Sequence, residues 1–233
     1  MRLIALFVAL LLFASPAAAV VVTVGDNSTD THSGADEVHL KEIDPTTNYD
    51  GTVFELGKWD SGDHTHGLIR FTGLSAISGP VTVSTATLYV FQNEDVGGGS
   101  YTIEARRLLR NWVEAEANWS VYSAGNSWTT GGGISDGNDR SATVSGSVAV
   151  TTSLGYYGIT GSQLITDVEN MINGSVSNFG WHIERQGTGN DNTTKGFTAS
   201  EGTDSERPYL DVTYSVSGGG GGGTAAFFRR RIQ

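Results

Sequence analysis

Short runs in which apolar and polar residues alternate, separated by breaks rich in glycine, asparagine and aspartate, recur along most of the chain. A period of two marks half-buried strands. It predicts strands at Val20–Val24, at Val38–Ile43 with Val38, Leu40 and Ile43 inward, and at Val53–Gly57. Further strands are expected at Gly67–Phe71, at Thr85–Val90 within a longer β-prone run from Val81, and at Tyr101–Arg106. The last three are expected at Thr143–Val150, Phe179–Glu184 and Tyr209–Tyr214. In Gly67–Phe71 the apolar Leu68 falls with the charged Arg70 on the face opposite Ile69 and Phe71. Ile69 and Phe71 are assigned to the core, which leaves Leu68 to be closed over by a loop. Only one stretch departs from this period. Leu164, Ile165, Val168, Met171 and Ile172 form a single helical stripe, with Thr160 or Ser162 to cap its front and Asn173-Gly174 to end it. The pattern predicts an all-β fold, a jelly-roll-like antiparallel β-sandwich with one short helix over an open end.

The two ends of the chain read differently. Arg2, the apolar run Leu3–Ala14 and the small residues Ser15-Pro16-Ala17-Ala18-Ala19 read as a signal peptide over 1–19, too short to span a bilayer. Residues 20–215 are expected to form one β-sandwich domain. Residues 216–233 read as a glycine-rich linker, Gly218–Gly223, and a short cationic tail ending in Arg229, Arg230 and Arg231. That layout resembles bacterial C-terminal sorting tails, but a disordered cationic tail is the preferred reading. Export permits disulfides, but the chain has no cysteine, so its core must suffice without them. The expected location is secreted, extracellular or at the cell surface, with no transmembrane span.

Charge narrows the partners. Without Arg2 and the three tail arginines, 10 basic residues face 25 acidic ones, a body charge of about −15. Such a field repels phosphate backbones, which argues against nucleic acid and anionic bilayers. Neutral sugars and Ca²⁺ are compatible with it.

The chemistry-bearing residues fall into three groups. The richest aromatic stretch holds Trp112, Trp119, Tyr122 and Trp128. Trp112 and Trp119 are assigned to the core. Trp128, set among Asn126, Ser127, Thr129 and Thr130, is expected to be exposed as a platform for a sugar ring. Arg70, Glu114, Asn126 and Tyr122 are the expected ligand-orienting groups, with Trp59 and Trp181 as secondary candidates. Arg70 has a structural reading too, pairing with a carboxylate such as Glu201 or Glu206. For metals, Asp26, Asn27, Asp30 and Asp36 put hard oxygens in one loop and suit Ca²⁺, and Asp136, Asn138 and Asp139 form a second such loop. Asp60, Asp63, His64 and His66 suit a borderline metal such as Zn²⁺. His32, His39 and His182 are read as incidental. The chain lacks the G-x-S-x-G, H-E-x-x-H, P-loop and dinucleotide motifs, and no catalytic role is expected.

Several segments, in order, resemble the DNRLRE domain family, a group of carbohydrate-binding-module-like β-sandwiches, although the motif that names it is absent. They are Gly67–Phe71, Val83–Val90, Trp112-Val113-Glu114 with Asn118-Trp119-Ser120, Asn178–Ile183, Phe197–Glu201 and Arg207–Tyr214. The resemblance implies a jelly-roll-like sandwich of large secreted or surface proteins, some of which bind polysaccharides. The resulting expectation is a non-catalytic module that binds extracellular polysaccharide. The alternative is a structural or adhesive module whose partners are proteins of a surface or secreted assembly.

Overall fold

The computed structural model describes residues 18–59, 63–187 and 192–216. The expected leader, the glycine linker, the arginine tail and Asp60 lie wholly or mostly outside them. No helix among the described residues is long and apolar enough to cross a membrane.

The chain opens with β1 (Val20–Gly25), β2 (His32–Ser33), β3 (Asp36–Lys41), β4 (Val53–Trp59) and β5 (Asp63–Arg70). The long β6 (Val81–Val96) and β7 (Tyr101–Arg107) follow. A largely irregular segment then carries only the small hairpin of β8 (Val121–Ser123) and β9 (Asn126–Ser127). β10 (Gly146–Val150) and β11 (Gly155–Ile159) lead into the one α-helix, α1 (Ser162–Ile172). β12 (Trp181–Arg185), β13 (Thr193–Thr198) and β14 (Tyr209–Val216) complete the fold.

The fold is all-β with one helix, and its sheets are mixed. All but two of these strands join one 12-stranded sheet, in the order β10-β7-β12-β5-β4-β13-β6-β14-β1-β2, with β11 added on β6 and β3 on β5. Its pairs are antiparallel except β1 with β2. β6 is the hinge of this arrangement. Its first part pairs with β14, from Val81↔Val216 to Tyr89↔Tyr209, and its last part pairs with β13, from Gln92↔Phe197 to Val96↔Thr194. Residues from strands far apart on this path, such as Val22 and Leu210 on one side and Ile69, Ile103 and Ile183 on the other, meet in one apolar cluster. The sheet therefore folds back over its own core.

α1 adds Leu164, Val168 and Met171 to that core, as its stripe predicts. Its ends differ from each other. Neither Thr160 nor Ser162 caps the front: Gly161 is the N-cap and makes no side-chain cap, and the Leu164 N–H reaches the Ser145 carbonyl at 2.8 Å. At the back, Asn173 and Gly174 end the helix as expected. The helix also satisfies β6. Asn173 bonds both the N–H and the carbonyl of Val81, at 2.8 and 2.9 Å, and Glu169 accepts the Val83 N–H at 2.8 Å.

Two strands escape the alternation rule. β13 reads Thr-Thr-Lys-Gly-Phe-Thr, yet every residue of it is buried, because β4 and β6 flank it. Lys195 is buried there on the Asp95 carboxylate. β11 is short, four of its five residues are glycine or tyrosine, and of these only Tyr156 is exposed.

Leu210 and Val212 are fully buried, and each is worth roughly 1.5–3 kcal/mol of transfer free energy. Leu210→Ala is expected to destabilise the fold by about 2–5 kcal/mol. In urea unfolding the midpoint should fall while the m-value holds; an unmoved midpoint would mean that β14 does not close the core.

Candidate functional site

β5, β12 and β7 lie side by side, and their register sets out the outer face residue by residue. His182 stands opposite Leu68 on one neighbour and Arg106 on the other, and Glu184 stands opposite Glu104. β3 adds Leu40 opposite His66, Val38 opposite Leu68 and Asp36 opposite Arg70. Side chains two apart share a face. The face therefore runs from Asp36–Arg70, through Val38 and Leu68, to His66, His182, Glu184, Glu104 and Arg106.

The segment between β7 and β10 covers this face. Leu108, Trp112, Ala117 and Trp128 pack with Val38, Leu40 and Leu68 into a second apolar cluster, with Trp119 and Tyr122 against its edge. Leu68 is thus closed over by a loop, as its sequence setting requires. Trp112 donates to the Phe179 carbonyl at 2.8 Å, and Trp128 to that of Asn118 at 2.8 Å. Asp139 anchors the loop from inside. Its carboxylate accepts the N–H groups of Thr129 and Thr130, both at 3.0 Å, and faces Arg110. Burial alone would push that carboxyl up, but these donors hold it below the usual range.

A glycine turn shapes the loop's end. Gly132 has φ +77°, and a Cβ there would lie 2.8 Å from the Trp119 ring. Trp119 is thereby held flat under Gly131-Gly132, with its other side toward His66 at a ring separation of 5.1 Å.

Beside Trp119 opens a cleft of about 470 Å³. His64, His66, Glu42, Glu184, Arg140, Arg185 and Gln186 line much of it. Its floor is a connected polar network. Arg140 donates to His182 Nδ1 at 3.0 Å and to Glu184 at 2.6 Å, and its Nε holds Asp136 at 2.9 Å. An acceptor at Nδ1 places the His182 proton on Nε2, 2.9 Å from the Gly132 carbonyl and 3.2 Å from His66 Nδ1. His66 Nδ1 also lies 3.4 Å from the Gly132 carbonyl, and its Nε2 faces Glu184, 4.0 Å away. Burial lowers the affinity of both rings for a second proton, His66 to about 4 and His182 well below its usual value.

Among the described residues, two groups have the donors and spacing to coordinate a metal ion: His66, His182 and Glu184, and Asp50, Glu114 and Glu201, each with ligand atoms within 4.8 Å of one another. In the first group the Arg140 guanidinium already sits on His182 Nδ1 and Glu184 Oε1, so a cation entering there competes with a fixed positive charge. The second group lies where the segment before β4, the loop over the outer face and the turn after β13 converge.

Several expected positions require correction. Trp128 is not an exposed platform: it is 5% exposed, because its indole fills the second cluster and its N–H is spent on Asn118. Trp181 is fully buried in the main core. Asn126 is exposed, but it bonds its own hairpin at Ser123 and Ala124, and Tyr122 packs on Trp128. Trp59 is half-buried, donates to Glu55 at 3.3 Å, and is not among the cleft-lining residues. The first acidic loop is not gathered round an ion. Asp26 accepts the N–H groups of Gly34 and Ala35, Asp30 that of Asn27, and Asn27 Oδ1 bonds Thr29. Asp36 is paired with Arg70 at 2.5 Å. That pair also replaces the expected partners Glu201 and Glu206. In the second loop, Asp136 and Asp139 are held by arginines.

Arg70 and Glu114 do come together. They line a second, open groove of about 380 Å³ with Asn111 and Trp112, and Arg70 lies over the Trp112 ring at 4.9 Å. His182, read as incidental, is central to the network. The His66-His182 pairing had no signal in the spacing, because it arises across the β5–β12 ladder from residues 116 positions apart.

A further face carries aromatic rings on β6, β11 and β14. Tyr89 stacks on Tyr209 at 4.6 Å, and Tyr156 meets Tyr89, Phe91 and Tyr209 edge-on. Gly158 and Gly25 stand opposite Tyr89 and Tyr209 without side chains to cover them.

No family model matches the chain, and no curated protein matches it.

The buried imidazoles link stability to pH. A ring whose native affinity for protons is lowered stabilises the fold fully above its unfolded value near 6.5, and that contribution is lost as pH falls toward the native value of about 4. Glu37 acts with the opposite sign, since burial raises its carboxyl to about 8 and favours the fold at lower pH. Comparison with His66→Gln isolates the imidazole. The melting-temperature advantage of the wild type over that variant should shrink between pH 7 and pH 4.5; a constant advantage would refute the buried neutral ring.

Proposed function

We propose that the chain is a non-catalytic extracellular module that binds polysaccharide in the cleft beside Trp119. The observation that carries this reading is the cleft itself. Its volume falls in the range of small-ligand sites, roughly 300–1,000 Å³. An indole edge and imidazoles give a sugar ring a flat, partly apolar wall. Glu42, Glu184, Arg185 and Gln186 offer acceptors and donors suited to hydroxyl groups. The hydrogen-bonded network through Arg140, His182 and Glu184 supports a binding role, because a site set before the ligand arrives loses little entropy on binding.

The rest of the reading follows from it. The fold is taken as a jelly-roll-like sandwich whose two sheets are joined through β6, and the location as outside the cytoplasm behind the leader. The ordered segments that resemble the DNRLRE domain family point the same way. With about −15 of body charge, a neutral or weakly charged glycan suits the domain better than a polyanion. Calcium in this reading holds loops in place and does not react.

One observation favours the alternative, a structural or adhesive module that meets proteins of a surface assembly: the tyrosine face on β6, β11 and β14. Rings of this kind, rigid and tipped with hydroxyls, are enriched at protein interfaces.

A glycan array followed by affinity electrophoresis separates the two. The double variant Glu42→Ala/Gln186→Ala is expected to weaken retention on the selected glycan about tenfold, the loss of one or two hydrogen bonds near 1.4 kcal/mol in all. Trp128→Ala should instead lower the melting temperature by loosening the loop. Saturable binding to no glycan, with self-association or partner capture abolished by Tyr156→Ala, would move the assignment to the adhesive reading.

A further inference from the structure

We propose that Asp50, Glu114 and Glu201 bind a calcium ion that ties three loops together at the outer edge of β3. The three carboxylates come from segments distant in sequence, and each offers an oxygen within 4.8 Å of the others. Calcium holds its oxygen ligands at about 2.3–2.6 Å, so ligands sharing one ion stand no more than about 5 Å apart. The spacing is the one an ion would impose. Among the described residues no lysine or arginine pairs with any of the three. Without a cation, three like charges face one another.

A second observation lies just behind them. Glu37 is 1% exposed, and its carboxyl is coupled electrostatically to Glu201 and Glu114. Its Oε2 accepts the Ser200 N–H at 3.0 Å, but its Oε1 is buried without a hydrogen-bond partner. A buried carboxyl oxygen left bare near two of these carboxylates is a cost that a cation relieves. Burial and these neighbours also raise the Glu114 carboxyl to about 7 and raise that of Asp50.

The surrounding donors fix the ligands. The Glu37 N–H donates to Glu114 Oε1 at 2.7 Å, and Ser200 Oγ donates to Glu201 Oε1 at 2.8 Å. Each of those carboxylates keeps its other oxygen for an ion. Asn48 bonds the carbonyls of Glu114 and Ala117, at 2.7 and 2.8 Å, and so joins the Asp50 segment to the loop that carries Glu114. An all-oxygen set on three separate loops suits the adaptable shell of Ca²⁺ better than the strict octahedron of Mg²⁺, and it lacks the nitrogen or sulfur that zinc favours. The assignment does not depend on the sugar reading of the cleft.

The test is calorimetric titration of the full chain with CaCl₂ after chelator treatment, with thermal melts alongside. The expected result is one ion per chain, an affinity on the order of 10⁻⁴–10⁻³ M as in other extracellular modules, and a higher melting temperature with calcium. Asp50→Asn and Glu201→Gln, both at exposed positions, should each weaken binding at least tenfold. Asp30→Asn, in the first acidic loop, should leave it unchanged. Absence of binding at millimolar CaCl₂, binding unaffected by Glu201→Gln, or equal affinity for MgCl₂ would each overturn the proposal.

Discussion

A ladder that carries apolar residues on both faces governs this molecule. Ile69, Phe71, Trp181 and Ile183 press one side of β5 and β12 into the main core, while Leu68 and its neighbours Val38 and Leu40 make part of the other side apolar as well. A sheet of that kind must be covered twice. The second cover is a largely irregular loop, and most of the unusual chemistry of the protein lies where that loop meets the sheet.

A loop used as a cover must satisfy its own backbone away from water. Asp139 does this from inside by taking two N–H groups, and the indoles of Trp112 and Trp128 do it by donating to carbonyls. Where the loop stops short, the polar end of the face is left beneath a cleft. There Arg140, reaching in from the loop, holds both His182 and Glu184. The same residue that sets the His182 tautomer also places a positive charge beside the histidine pair, with which any metal entering there competes. Among the described residues the acidic cluster at the β3 edge has no such arginine, which is the physical difference between the two sets of ligands.

Much of the fold was legible in the sequence. Alternation located most strands within a few residues, the helical stripe located α1 and its C-terminal stop, and the apolar Leu68 on the face opposite Ile69 and Phe71 foretold a loop cover. The candidate site was less legible. Of the expected ligand residues only Arg70 and Glu114 line a shared groove, and Trp128, set among polar neighbours, is buried against Tyr122. Local composition reports what surrounds a residue along the chain, whereas burial depends on what the loop folds onto. β13 shows the same limit, since a threonine- and lysine-bearing strand becomes core only because β4 and β6 enclose it.

By itself the sequence determined the strand periodicity, the helix, the acidic balance of the body and the absence of disulfide staples, because each is a property of neighbours along the chain. The tertiary structure alone decided which histidines meet, which acids are spent on backbone or arginine, and which three carboxylates are left facing one another. Those outcomes come from strand register and loop closure, which bring together groups as far apart as His66 and His182. Pairing across a ladder leaves no trace in local spacing.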